Sequence, residues 1–235
     1  MATSQFKVFS SGDLNSPQLT GLSGSLTNVL TYCLVSGSGW LQPSASINNL
    51  SIYQQPSGSK CFLYVNDNSP NAGALGQEAW ATGWENLTTM SAPVGTGSGQ
   101  FPLPSQVLTT GHYVIRKSQT ATNRPRNWTM YADAYTFYFF TLPEDTHTYY
   151  SALFFGDFYS SQPSVDEIRC FIWGRTVENT SAPTTQDQVD IMTFPIFAGG
   201  LGTGASGIAA RAMNGNGTTW IGKLGDITKS TYALV

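Results

Sequence analysis

Charge is what this sequence has least of. Asp, Glu, Lys and Arg make up only 11% of its 235 residues, against about 25% in an ordinary soluble domain. The formal net charge is −3, and no run of Lys or Arg is longer than Arg116-Lys117. Binding to nucleic acid needs a basic footprint, so nucleic acid is not an expected partner. Cysteine is scarce as well: Cys33, Cys61 and Cys170 are odd in number and far apart. With no CxxC pair, neither a zinc site nor a disulfide framework is expected. Three buried, reduced thiols made in a cytoplasm fit better. Long apolar runs are missing. Ala152-Leu153-Phe154-Phe155 is among the longest, well short of the roughly 18 residues of a membrane span, so no membrane partner is expected. Met1 to Val8 lacks the basic-then-apolar order of a secretory leader. Histidine occurs only as His112 and His147, both among turn residues near strand ends, and there is no G-x-S-x-G elbow. An acyl-transfer triad has little to draw on.

Aromatic residues are what the chain has in quantity, at 13%, within a hydrophobic share of 40%. Flat rings suit pleated surfaces. A chain of this length hides roughly 70% of its unfolded surface on folding, so a substantial core is affordable. Residues 1–20 read as an N-terminal arm or first strand around Lys7-Val8-Phe9. Leu22, Leu26, Val29, Leu30, Cys33 and Leu34 then recur at three- and four-residue steps. This spacing predicts one helix over about 22–35, capped by Ser23 and stopped by Gly37 and Gly39. From Ala45 the period falls to two. Strands are predicted at Leu50–Tyr53, Lys60–Val65, Glu78–Leu87, His112–Lys117, Trp128–Ala132, Thr136–Leu142, Ser151–Phe158 and Ile168–Trp173, with a last edge strand at Val189–Phe197. Trp80 and Trp84 lie four apart, with a bulge expected at Gly83. Residues 91–106 read as a Gly-, Ser- and Pro-rich connection. The expected fold is mainly β: an antiparallel sandwich or barrel-like domain over 21–197 with the helix packed on it. A glycine-rich C-terminal segment, 198–235, follows.

Several motifs invite chemistry and carry little. Gly202-Thr203-Gly204-Ala205-Ser206-Gly207 fits G-x-G-x-x-G, with Ile208–Met213 as a conceivable helix turn and Asp226 downstream. A dinucleotide site needs those glycines between a parallel strand and its crossover helix, and this chain reads antiparallel. A flexible glycine loop is the expectation. Asp133, Asp157, Asp166 and Glu167 stand near aromatic strands, as glycosidase carboxylates would, but strand ends collect acids in any β protein. Asn66-Asp67-Asn68 matches only a fragment of a calcium loop, and an Asx-rich turn explains it. The sequons at Asn49, Asn86, Asn127, Asn179 and Asn216 matter only in a secretory pathway. Trp80, Trp84 and Trp128 could stack on sugar, although cores and interfaces use the same rings. No catalytic residue, metal ligand or cofactor site is assigned.

An ordered series of short stretches carries a resemblance. Val8-Phe9-Ser10-Ser11 and Pro17-Gln18-Leu19-Thr20-Gly21 lead into the helix. Gly39-Trp40-Leu41-Gln42-Pro43, Phe62-Leu63-Tyr64-Val65-Asn66-Asp67 and Gly83-Trp84-Glu85-Asn86-Leu87 follow. Tyr113–Ser118, Ala132–Tyr138 and Phe155-Gly156-Asp157-Phe158 complete it. The series resembles a family of virion structural proteins of tailed phages and prophages. Members often continue past the segment that resembles Ile221–Gly225, and this chain ends soon afterwards. The resemblance implies a non-enzymatic place in the virion, in the tail or head–tail region, in contact with copies of itself and other virion proteins. A capsid decoration protein and a host-surface carbohydrate-binding module remain the alternatives, and a hydrolase has the least support.

Overall fold

The computed structural model describes residues 5–68, 78–103, 112–118, 120–142, 151–158, 168–176, 206–212 and 221–222. Its described part is mainly β, as the sequence predicts, with two antiparallel sheets and a helical segment. The first strand, β1 (Lys7–Ser10), pairs with β7 (Trp128–Ala132). From β7 the chain runs as a meander through β8 (Thr136–Thr141), β9 (Ser151–Asp157) and β10 (Cys170–Thr176). It continues into β11 (Ser206–Arg211) and β12 (Ile221–Gly222), giving a seven-stranded sheet. The second sheet holds β2 (Leu50–Gln54), β3 (Phe62–Asn66), β4 (Glu78–Thr89) and β5 (Thr96–Phe101), with β6 (Tyr113–Arg116) pairing the first part of β4.

Alternation decides which side chains meet. Ala132, Phe137, Phe155 and Ile172 are register neighbours across β7 to β10, and Met130, Phe139 and Leu153 form the next row. These residues share one buried cluster with Leu63, Val65, Ala79, Ala81, Phe101, Tyr113 and Ile115 of the smaller sheet. The sheets therefore face one another across a common core, a sandwich. Gly83 is needed there, because a Cβ would collide with the Phe101 ring.

The helical segment follows the first strand rather than heading the chain. It starts as α1 (Ser25–Leu30) and widens into π-type bonding over Thr31–Gly37. Leu26, Val29, Leu30, Cys33 and Leu34 enter the common core, as their spacing predicts. Leu22 lies before the helix and is exposed. The Trp40 N–H donates to the Leu34 carbonyl over 2.9 Å, and Gly39 holds φ +76, so the stop falls where the glycines predict. None of the described helices is long and apolar enough to cross a membrane.

Three other expectations are corrected. Thr96–Phe101, read as connection, is a strand held against β4. The register runs unbroken through Gly83, and the irregularity lies between Leu87 and Thr89. Ser206–Arg211, taken as the end of a glycine loop and a conceivable helix turn, is a strand antiparallel to β10.

Candidate functional site

The densest polar chemistry lies where α1 meets the smaller sheet. Asp67 follows β3 and Lys117 follows β6. Both are fully buried and paired, carboxylate Oδ1 to ammonium Nζ. Lys117 also donates to the Leu22 carbonyl at 2.7 Å and to Ser25 Oγ at 3.4 Å. The other carboxylate oxygen of Asp67 accepts the Leu26 N–H at 2.8 Å and the Thr27 N–H at 3.3 Å. Asp67 thus caps α1 from across the structure. The N-cap residue itself is Gly24 at φ +81, with no side chain to offer, so the expected Ser23 cap is replaced. The Asx turn expected at Asn66–Asn68 forms: the Asn68 N–H donates to Asn66 Oδ1 at 3.2 Å, while the Asp67 side chain turns to α1. Burial raises the Asp67 carboxyl to about 6 despite the pull of Lys117 and the two N–H groups, and burial lowers the lysine.

A second buried pair, Arg116 with Glu78, bridges β6 and β4 at 2.9 Å. His112, just before β6, is 1% exposed. Its ring stacks on Trp80 with centroids 3.7 Å apart, and burial lowers it to about 3. At neutral pH it is an uncharged packing ring. His147, the other predicted candidate, lies outside the described residues, as do Asp166, Glu167, Asp226 and the Val189–Phe197 strand.

The remaining candidate acids have structural partners. Asp133 Oδ1 accepts the N–H groups of Tyr135 and Thr136 at 2.7 and 2.8 Å, shaping the β7–β8 turn. Asp157 accepts Gln55 Nε2 at 3.1 Å and the Ser59 N–H at 2.9 Å, tying the β2–β3 turn to the larger sheet. Trp84 is enclosed and donates to the Val94 carbonyl at 3.0 Å, and Trp128 is enclosed and donates to the Pro17 carbonyl at 3.1 Å. Neither ring offers a face to a sugar, and one face of Trp80 is taken by His112. Among the described residues no group of three His, Cys, Asp or Glu is arranged to hold a metal. The strand at Ser206–Arg211 removes the helix that the G-x-G-x-x-G match required.

One surface stands apart from these interior arrangements. Val8, Tyr131, Tyr138, Phe154 and Trp173 are register neighbours on the outer face of the larger sheet. Phe154 is buried in a small aromatic cluster with Phe171, which Tyr138, Phe158 and Trp173 flank. Toward the β1 edge the row opens: Tyr131 is 42% exposed, Phe6 47% and Val8 59%. Sequence reasoning did not single out this strip, although alternation within Thr136–Leu142 and Ser151–Phe158 already puts rings on both faces.

Compared with protein-family models, curated proteins and solved structures, the chain matches none.

Proposed function

We propose that the chain is a non-enzymatic, multi-copy structural component of a tailed-phage virion, placed in the tail or head–tail region. The ordered resemblance and the low charge support this reading. The observation that carries it is the β1 edge, beyond which no strand pairs among the described residues. Sheet edges usually discourage pairing with charge, proline or bulges. Here Phe6 and Val8 at the edge and Tyr131 on the strand beside it are exposed, while the Lys7 ammonium is drawn to the Gly37 carbonyl at 2.5 Å. An edge of that kind suits repeated contact between subunits, and a contact low in charge depends little on salt.

The test is Val8→Lys, which puts a charge into the exposed end of the row. The expected result is unchanged folding by circular dichroism, weakened self-association in sedimentation, and loss of the variant from particles. Normal self-association and incorporation would reject the edge as the contact. Immunogold counting on particles then separates the sites: label on tail or neck supports the proposal, whereas label spread over the capsid makes the chain a decoration protein.

A further inference from the structure

Two of the three cysteines come together in the core from opposite sheets. Cys61 directly precedes β3, and Cys170 opens β10. Both have no exposed surface and belong to the common core cluster. Hydrogen bonds on either side fix their approach. The Cys61 N–H donates to Gln55 Oε1 at 3.0 Å, while Gln55 Nε2 donates to Asp157 Oδ1 at 3.1 Å. Asp157 is the register partner of Cys170 on β9. Two residues before Cys61, Ser59 Oγ accepts the N–H of Arg169, the neighbour of Cys170, at 2.7 Å. Cys61 is near enough to Cys170 to add to the rise that burial gives the Cys170 thiol. Cys33, on the π-helical segment, is also buried but has no such relation to either.

We propose that Cys61 and Cys170 are a latent disulfide pair, an oxidation site that staples the two sheets together once the protein leaves a reducing environment. The thiols are free in this structure. The oxidant is a small disulfide such as oxidised glutathione. One cysteine, as thiolate, attacks that disulfide and releases one glutathione thiol, leaving a mixed disulfide. The second cysteine attacks the protein sulfur of the mixed disulfide and releases the other glutathione. One protein S–S bond forms, two electrons pass to glutathione, and the two thiol protons end on the released thiols. Burial raises the Cys170 thiol and disfavours its thiolate. Exchange therefore proceeds while the core is open, during folding or by local unfolding, and is slow in the closed sandwich. This inference does not depend on the virion reading, because it rests on the sheets alone.

The test refolds the full chain from denaturant in a glutathione redox buffer, with a reduced sample as control. Free thiols are alkylated and peptides mapped by mass spectrometry. The expected product is monomeric, has lost two hydrogens, joins the peptides of Cys61 and Cys170, and keeps Cys33 alkylated. Closing so long a loop should raise the unfolding midpoint by roughly 10 °C over the reduced form. Cys33→Ser should behave in the same way, whereas Cys61→Ser should abolish both the bridge and the shift. Full alkylation of Cys61 and Cys170 after oxidative refolding would overturn the proposal. So would a bridge to Cys33, or an oxidised form melting below the reduced one.

Discussion

The smaller sheet keeps buried charge at its margins, with Asp67 against Lys117 and Glu78 against Arg116. The inner face of the larger sheet is filled by Met130, Phe137, Phe139, Leu153 and Phe155. The two halves are held by different physics. Ring burial is roughly proportional to area and tolerant of direction. A buried ion pair contributes little net stability, because desolvation offsets attraction, but it is costly to break. The smaller sheet therefore fixes position: its charges tell α1 where its N-terminus belongs. The larger sheet supplies bulk apolar contact. Stability measurements can break or sharpen this contrast.

The largest effect should come from unbalancing the ion pair. Asp67→Asn retains an acceptor for the Leu26 and Thr27 N–H groups but strands the Lys117 ammonium, which should cost about 3–5 kcal/mol in denaturant unfolding. Lys117→Met should cost a similar amount. The double variant should return to within about 1 kcal/mol of the parent, because neither charge remains buried. A double variant as unstable as either single one would mean that the pair contributes strength and not placement alone. On the other side, Phe155→Ala removes the ring that meets Trp40, Phe101 and Phe137. It should cost about 3–4 kcal/mol, and no second substitution in the smaller sheet should restore it.

The smaller sheet should also respond to pH, with an effect that is small just below neutrality and grows toward acid. His112 sits at about 3 when folded, below its ordinary value near 6.5. Its contribution to stability is therefore present above about 6.5 and lost as pH falls toward 3, at up to about 1.4 kcal/mol per pH unit. Asp67 works the other way. Raised to about 6, its contribution is full below about 4 and is lost as pH rises through 6. The measurement is thus best made in the Asp67→Asn/Lys117→Met background. There, His112→Phe should flatten the acid slope while leaving a ring to stack on Trp80. An unchanged slope would place the acid sensitivity elsewhere.

Much of this architecture is legible in the sequence, and the gaps have physical reasons. Apolar residues at three- and four-residue steps reveal the helix, since Leu26, Val29, Leu30, Cys33 and Leu34 need only their own spacing to share a face. The cap does not show, because its acceptor is supplied by a residue far along the chain and Gly24 gives no signal. Strands β7 to β10 are dense in rings and stand out. Strand β5 is hidden because Thr96-Gly97-Ser98-Gly99 has weak β propensity. It is a strand because β4 lies beside it, and a Cβ at Gly97 would strike the β4 backbone. The buried roles of Asp67, Lys117 and His112 are equally hidden, since alternation assigns a face to a residue but not a partner. Asp133 and Asp157 stand at strand ends, and each holds a turn by hydrogen bonds.

The cap on α1 also has a consequence in time. The helix leaves the ribosome well before Asp67 does, and Lys117 emerges later still. At roughly 5–20 residues per second, α1 passes some seconds without the carboxylate that binds its first N–H groups, and so short a helix is marginal alone. Its completion waits for β3 to dock, and the charge of Asp67 waits for β6. The N-terminus of α1 is thus complete only once the residues after β3 and after β6 are both in place. A chain broken off before Lys117 would carry an unpaired carboxylate where the finished fold sets one against an ammonium.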